Sequence, residues 1–251
     1  MPPRLTSQQE RVVNEFMKVT QANRQQALNY LLEENFRLND ALDEFFAHSK
    51  PVEQIDLTEM ERLFDQYKDP NPNIETPTIT FTGFQELAET VQVPPGDIRW
   101  LIFLWKASAK TMGAVTRDEF LEGCRVFKSI NLPHFQQKLA DATELITSPD
   151  AFRSFYKWLF NYLKEDPSHK SIALDNAELA WRMVLLDKWD WLEDFIEFLR
   201  SQTKVKNINS DLWNQLYSFI TVVGTNLSIY SSDDAWPTVI DSFVEWKKTK
   251  M

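Results

Sequence analysis

The chain has 251 residues, enough for one or two domains, and 43% hydrophobic with 25% charged residues is a globular composition that excludes wholesale disorder. Its 27 basic and 37 acidic side chains leave a formal charge of −10, which argues against a generic nucleic-acid binder and suits basic partners. A single cysteine, Cys124, excludes an intramolecular disulfide and a multi-cysteine metal site, and the 5 glycines form neither a P-loop nor a Gly-x-Gly-x-x-Gly turn.

In chain order, the start Met1-Pro2-Pro3-Arg4-Leu5 reads without an apolar leader, and Pro2 stands where N-myristoylation needs glycine. Thr6 or Ser7 is placed to cap a helix running to about Lys18, with Val12, Val13, Phe16 and Met17 on one face. A second helix is predicted from about Ala22 to Glu33. A third, capped by Asn39, carries Leu42, Phe45 and Phe46. Residues 1–48 therefore read as a three-helix bundle, and residues 49–57, marked by Lys50-Pro51, as a linker. The first 50 residues hold 6 basic and 7 acidic side chains, so the acidity lies beyond them.

Thr58-x-x-Glu61, Thr82-x-x-Gln85 and Thr116-x-x-Glu119 read as capping boxes, and Ser148-Pro149 as a cap followed by proline at the first helical position. Helices are predicted near 133–146, 149–164, 174–186, 190–202, 210–223 and 237–248. The longest apolar run starts near Trp100 and breaks at Lys106, far short of a membrane span, so no membrane partner is expected. The expected location is cytoplasm and nucleus.

No catalytic constellation emerges. His48, His134 and His169 lack ligand-spaced partners, and Cys124 lies in a helical stretch as a small hydrophobe. No cofactor and no metal are expected. One loop has calcium-loop spacing: Gly113 falls at the sharp turn, Val115 at the central apolar position and Glu119 at the twelfth. Its first ligand positions hold Ser108, Lys110 and Met112, a poor set for calcium. An earlier loop, Asp69-Pro70-Asn71-Pro72-Asn73, has Ile74 where glycine is needed and Thr80 in place of the carboxylate. The pair reads as EF-hand-like units that keep the shape without the metal.

Towards the C-terminus, Ser210-Asp211-Leu212-Trp213 opens a helix with Leu212, Leu216, Phe219 and Val223 inside. The last helix follows Trp236-Pro237 with Val239, Ile240, Phe243 and Trp246 inside. Asp241 and Glu245 then share the other side, beside Asp233-Asp234; spacing alone leaves open a solvated face or one presented to a cation.

The string Asp234-Ala235-Trp236-Pro237-Thr238-Val239-Ile240-Asp241-Ser242-Phe243-Val244-Glu245 resembles the C-terminal signature of the defective-in-cullin-neddylation family. Phe64-Asp65-Gln66-Tyr67-Lys68-Asp69-Pro70, Phe155-Tyr156-Lys157-Trp158-Leu159-Phe160-Asn161 and Asp211-Leu212-Trp213-Asn214 resemble further family blocks. The resemblance implies an all-α chain. It has a small ubiquitin-associated-like bundle (1–48) and a larger helical domain (58–251) with tandem EF-hand-like units and a C-terminal helical subdomain. It also implies a scaffold-type ligase factor without a catalytic centre. Such a factor would hold a cullin and a modifier-conjugating enzyme while the modifier passes to a cullin lysine. By motif, the cullin-binding positions are Asp211, Ala235 and Asp241. The pocket for the enzyme's acetylated N-terminal methionine falls on Phe81, Phe84, Trp100, Phe103, Leu104, Val115, Tyr162 and Met183, of which Phe84 and Trp100 are larger than the aliphatic residues common in animal members. Ubiquitin or a ubiquitin-like modifier is the implied partner of residues 6–48, although Lys18-Val19-Thr20-Gln21 replaces the usual Met-Gly-aromatic loop. A helical adaptor that binds another amphipathic helix without stimulating transfer is the competing reading.

Overall fold

The computed structural model describes residues 5–20, 22, 24–48, 55–71, 75–202, 205–231 and 233–250; six residues of the expected linker, 49–54, lie outside them, as do Pro72, Asn73 and Ile74 of the first calcium-like loop. The chain divides into two compact units, Met1–Ile55 and Asp56–Met251.

In the first unit, α1 (Ser7–Thr20), α2 (Arg24–Glu33) and α3 (Leu38–His48) form the bundle. Thr6 caps α1 reciprocally with Gln9: the Gln9 amide donates to Thr6 Oγ1 at 3.3 Å, and the Thr6 amide donates to Gln9 Oε1 at 2.9 Å. Asn39 does not cap α3, because the helix already starts at Leu38. Val13, Phe16, Ala27, Leu31 and Ala41 make the core, with Phe45 packed edge-on to Phe16 at 5.5 Å. Leu32 and Phe46 stay exposed.

The second unit opens with α4 (Thr58–Tyr67), β1 (Thr78–Ile79), α5 (Phe81–Val91), α6 (Ile98–Lys106), β2 (Val115–Thr116) and α7 (Arg117–Val126). The two short strands pair antiparallel, Ile79 opposite Val115 and Thr78 opposite Thr116, and so link the two helix–loop–helix units through their loops. Phe64, Phe103, Phe120 and Phe135 fill the space between the helices. The Thr116–Glu119 box forms as expected. The other two boxes do not. Asp56 instead accepts from the Thr58 amide at 3.0 Å and its hydroxyl at 2.6 Å, so the cap comes from outside the helix. Thr82 lies inside α5, which starts at Phe81.

The helix predicted over 133–146 is two pieces, α8 (Leu132–Ala140) and a 3-10 turn (Ala142–Ile146), parted at Asp141 where ψ is 0°. Then come α9 (Pro149–Tyr162), β3 (Ser171–Ala173), α10 (Leu174–Leu185), α11 (Leu192–Ser201), β4 (Asn207–Asn209), α12 (Ser210–Val222) and α13 (Thr238–Lys248). β3 pairs antiparallel with β4, Ile172 opposite Ile208, which the sequence pattern does not suggest. Tyr156 stacks on Trp213 at 4.6 Å, and Trp213 on Trp181 at 5.4 Å. Both indole nitrogens are satisfied inside, Trp213 on the Tyr156 carbonyl and Trp181 on the Tyr156 hydroxyl, each at 2.9 Å. Tryptophans that satisfy their polar edge internally are core residues, which accounts for these two rings without a ligand. Among the described residues no helix is long and apolar enough to cross a membrane.

Candidate functional site

A cavity of about 260 Å³ opens where α5, α6 and the loop before β2 meet α9 and α10. Its walls come from several elements, with Ile79 of β1 among them. Phe81 and Phe84 stand on α5, Trp100 and Leu104 on α6, Val115 on β2, Tyr162 on α9 and Met183 on α10. Trp100 is buried and fixed in orientation, because its indole N–H donates to the Val93 carbonyl at 3.0 Å. The Phe84 ring meets it edge-on at 4.8 Å. Tyr162 stacks on Trp158 at 4.8 Å. Burial pushes its hydroxyl up to about 12, although the Gly113 amide pulls the other way, so it stays a neutral phenol at physiological pH.

Seven of the eight expected pocket positions therefore line one cavity. Phe103 does not. It is buried on the far side of α6, with its ring 5.1 Å from Phe135 and 5.4 Å from Phe127. Helical geometry explains this: at about 100° per residue, Leu101 and Leu104 lie to one side of Trp100 and Phe103 to the other. The cavity also uses residues that the sequence reading does not assign to it. Met112 and Leu179, 43% and 62% exposed, form an apolar rim together with the expected Phe81, which is 64% exposed. Asn176 adds a polar wall position beside Ala180. The available signal was the spacing of Asn176, Leu179, Ala180 and Met183, three and four apart on a helix whose other side is core.

The second calcium-like loop holds its shape with its own carboxylate. Glu119 accepts from the Lys110 amide at 3.1 Å and from the Thr116 amide at 2.9 Å, while Gly113 takes the turn with φ of 77°. The side chain at the twelfth position thus closes the loop from inside, and among the described residues no group of three or more metal-ligating side chains forms.

The acidic positions lie elsewhere in this unit. Asp211 is exposed in the first turn of α12, which Asn209 caps by accepting the Leu212 amide at 2.8 Å. No hydrogen bond or ion pair engages its carboxylate among the described residues. Asp241 sits half-buried in the first turn of α13 and accepts the Tyr230 hydroxyl at 2.6 Å. Ala235 is exposed on the approach to that helix. Neither carboxylate is ion-paired with a lysine or arginine among the described residues. By contrast Glu178 is 3% exposed and answered from within: Arg200 donates to it at 2.8 Å and Arg182 lies 3.6 Å away. Glu178 was not anticipated, and its burial makes it structural.

A family model described as cullin binding matches residues 134–246, from α8 to α13, and one described as a UBA-like domain matches residues 10–51. Over those residues the chain carries a cullin-binding domain and a UBA-like domain. It is 32% identical over 208 residues to DCN1-like protein 3 of Xenopus laevis and 29% identical over 205 residues to the Homo sapiens protein of that name. Each match takes in 78% of this chain but 64% of the relative, so the chain spans under two thirds of these relatives. Defective in cullin neddylation protein 1 of Caenorhabditis elegans is 26% identical over 269 residues, covering 97% of this chain and 91% of that one. The cullin-binding match contains Asp211, Ala235 and Asp241 but of the cavity only the α9 and α10 walls.

Proposed function

We propose that this protein is a scaffold-type ligase factor for cullin neddylation. Asp211, Ala235 and Asp241 receive a basic stretch of the cullin C-terminal region. The cavity takes the acetylated N-terminal methionine of the modifier-conjugating enzyme, with the rest of that enzyme's first helix along the rim. Residues 6–48 supply a contact to ubiquitin or a ubiquitin-like modifier, and the protein works in the cytoplasm and nucleus.

The observation that carries the reading is the match of a cullin-binding domain to a region whose two motif aspartates have no ion-pair partner among the described residues. Physical fit supports the second contact. A nearly apolar cavity favours a thioether side chain, and acetylation removes an ammonium charge that would be costly to desolvate there. Holding both proteins raises the effective concentration of one for the other and restricts their orientation, which speeds transfer without a nucleophile in the scaffold.

The test is a transfer reaction with purified cullin, its catalytic partner and the charged conjugating enzyme. Stimulation should disappear with Asp211→Arg plus Asp241→Arg and fall when the enzyme's N-terminus is unacetylated. If the peptide binds but neither change alters transfer, the helical-adaptor reading replaces this one.

A further inference from the structure

Resting on the acidic-face reading, we infer that Tyr230 is a positioning residue for cullin recognition, one that fixes the Asp241 carboxylate relative to the helix that carries Asp211. Asp241 Oδ1 accepts the Tyr230 hydroxyl at 2.6 Å, and Oδ2 has no partner among the described residues, so one oxygen is held and the other is presented. Tyr230 follows the short 3-10 turn Leu227–Ile229, so it reaches α13 from a segment that belongs to neither helix. Its ring packs edge-on against Phe219 of α12 at 6.3 Å, and the neighbouring Trp236 meets the same Phe219 at 5.6 Å.

Phe219 lies eight residues after Asp211, about 12 Å along the α12 axis. The chain Asp211–α12–Phe219–Tyr230–Asp241 is therefore a rigid spacer between two carboxylates. An unrestrained carboxylate would explore its rotamers and lose that freedom on binding; here the freedom is already lost in the folded chain. Preorganisation of this kind raises affinity without adding a contact, which is why Tyr230 itself need not touch the cullin.

Around the hydroxyl the charged groups are Asp241, Asp234 and Glu245, with the Lys248 ammonium 5.7 Å from the ring centre and bound to Glu245 at 2.8 Å. Burial first, then the hydrogen bond to Asp241, raises the phenol well above its ordinary value, which gives a readout independent of any partner.

The experiment is a double-mutant cycle with Tyr230→Phe and Asp241→Ala, reading the dissociation constant of the full-length chain for the cullin C-terminal domain. Tyr230→Phe keeps the ring and its contact with Phe219. We expect it to weaken binding about three- to tenfold in the wild-type background, in the range of one ordinary net hydrogen bond because the lost contact acts only through positioning, and by less than about twofold once Asp241 is alanine. In the free protein, Asp241→Ala should bring one tyrosine down towards the ordinary alkaline range in an absorbance titration. A Tyr230→Phe protein that binds like wild type, or that loses equally in both backgrounds, overturns the positioning role while Asp241→Ala still reports on the acidic face. If Asp241→Ala alone leaves binding unchanged, the acidic-face reading falls, and the inference with it.

Discussion

Gly83 stands near the start of α5, where that helix crosses the end of α4. A Cβ at this position would lie 1.9 Å from the Tyr67 carbonyl oxygen and 3.0 Å from its carbon. Both atoms are backbone, so no rotamer change relieves the overlap, and α5 must move outwards by about 1 Å. Helix propensity favours alanine over glycine by about 1 kcal/mol, whereas forced overpacking costs about 1–3 kcal/mol or more, so the clash should win. With two backbone atoms in the way the overlap falls at the upper end of that range, leaving a net cost of about 1–2 kcal/mol after the propensity gain; for a unit of this size each kcal/mol lowers the melting temperature by about 2–4 °C, which gives a drop of roughly 2–8 °C. Because Phe81 and Phe84 ride on the same helix, the displacement should also widen the cavity and weaken binding of the acetylated peptide. Calorimetric melting of Gly83→Ala beside Gly96→Ala makes the comparison internal, since nothing lies within 4 Å of a Cβ at Gly96. Gly96→Ala should melt as wild type or slightly higher. If Gly83→Ala melts within a degree of wild type, close helix approach is not what requires glycine there.

Three further outcomes follow from buried or internally satisfied groups. Burial pushes the Cys124 thiol far above its ordinary value, so iodoacetamide at pH 8 should label it only in denaturant; labelling of the native protein at the rate of a free thiol would contradict the packing. Glu178→Ala should cost about 1–3 kcal/mol in urea unfolding, less than a fully buried pair, because Arg182 and Arg200 are accessible enough to rehydrate; a neutral result would mean that the buried carboxylate is dispensable. Millimolar calcium should leave the melting temperature unchanged, whereas Glu119→Ala should destabilise by about 1–2 kcal/mol through loss of its bonds to the Lys110 and Thr116 amides; a calcium-dependent rise would show that the loop opens to bind metal.

Helix periodicity located most of this fold because its signals are local. Thr6, Thr116 and Ser148 act as caps where the pattern puts them, and Leu212, Leu216, Phe219, Ile240 and Phe243 are buried as their spacing requires. The misses are cases in which a distant or neighbouring partner decides. Thr58 is served by Asp56 rather than by its own box, Asp141 ends α8 early, and the β3–β4 pairing joins residues more than thirty positions apart through strands too short to show alternation. The same limit applies to the cavity. Trp100 and Phe103 are alike in composition and spacing, and only the direction from which α9 and α10 approach α6 makes one a wall and the other core. Residue type tells a pocket wall from a core side chain poorly, because both are made of the same apolar groups. The surroundings of Asp241 were not legible either: no sequence pattern indicates that Tyr230 holds it.

The most direct measurement is the rate of modifier transfer to cullin as this protein is titrated across a wide concentration range, with cullin and charged conjugating enzyme fixed below their dissociation constants. A scaffold that acts by holding both partners should give a rate that rises, peaks and then falls, because excess scaffold separates the two onto different molecules, and Asp211→Arg with Asp241→Arg should flatten the curve. A rate that climbs and saturates without falling, or one unmoved by the charge reversals, would contradict bridging as the mechanism.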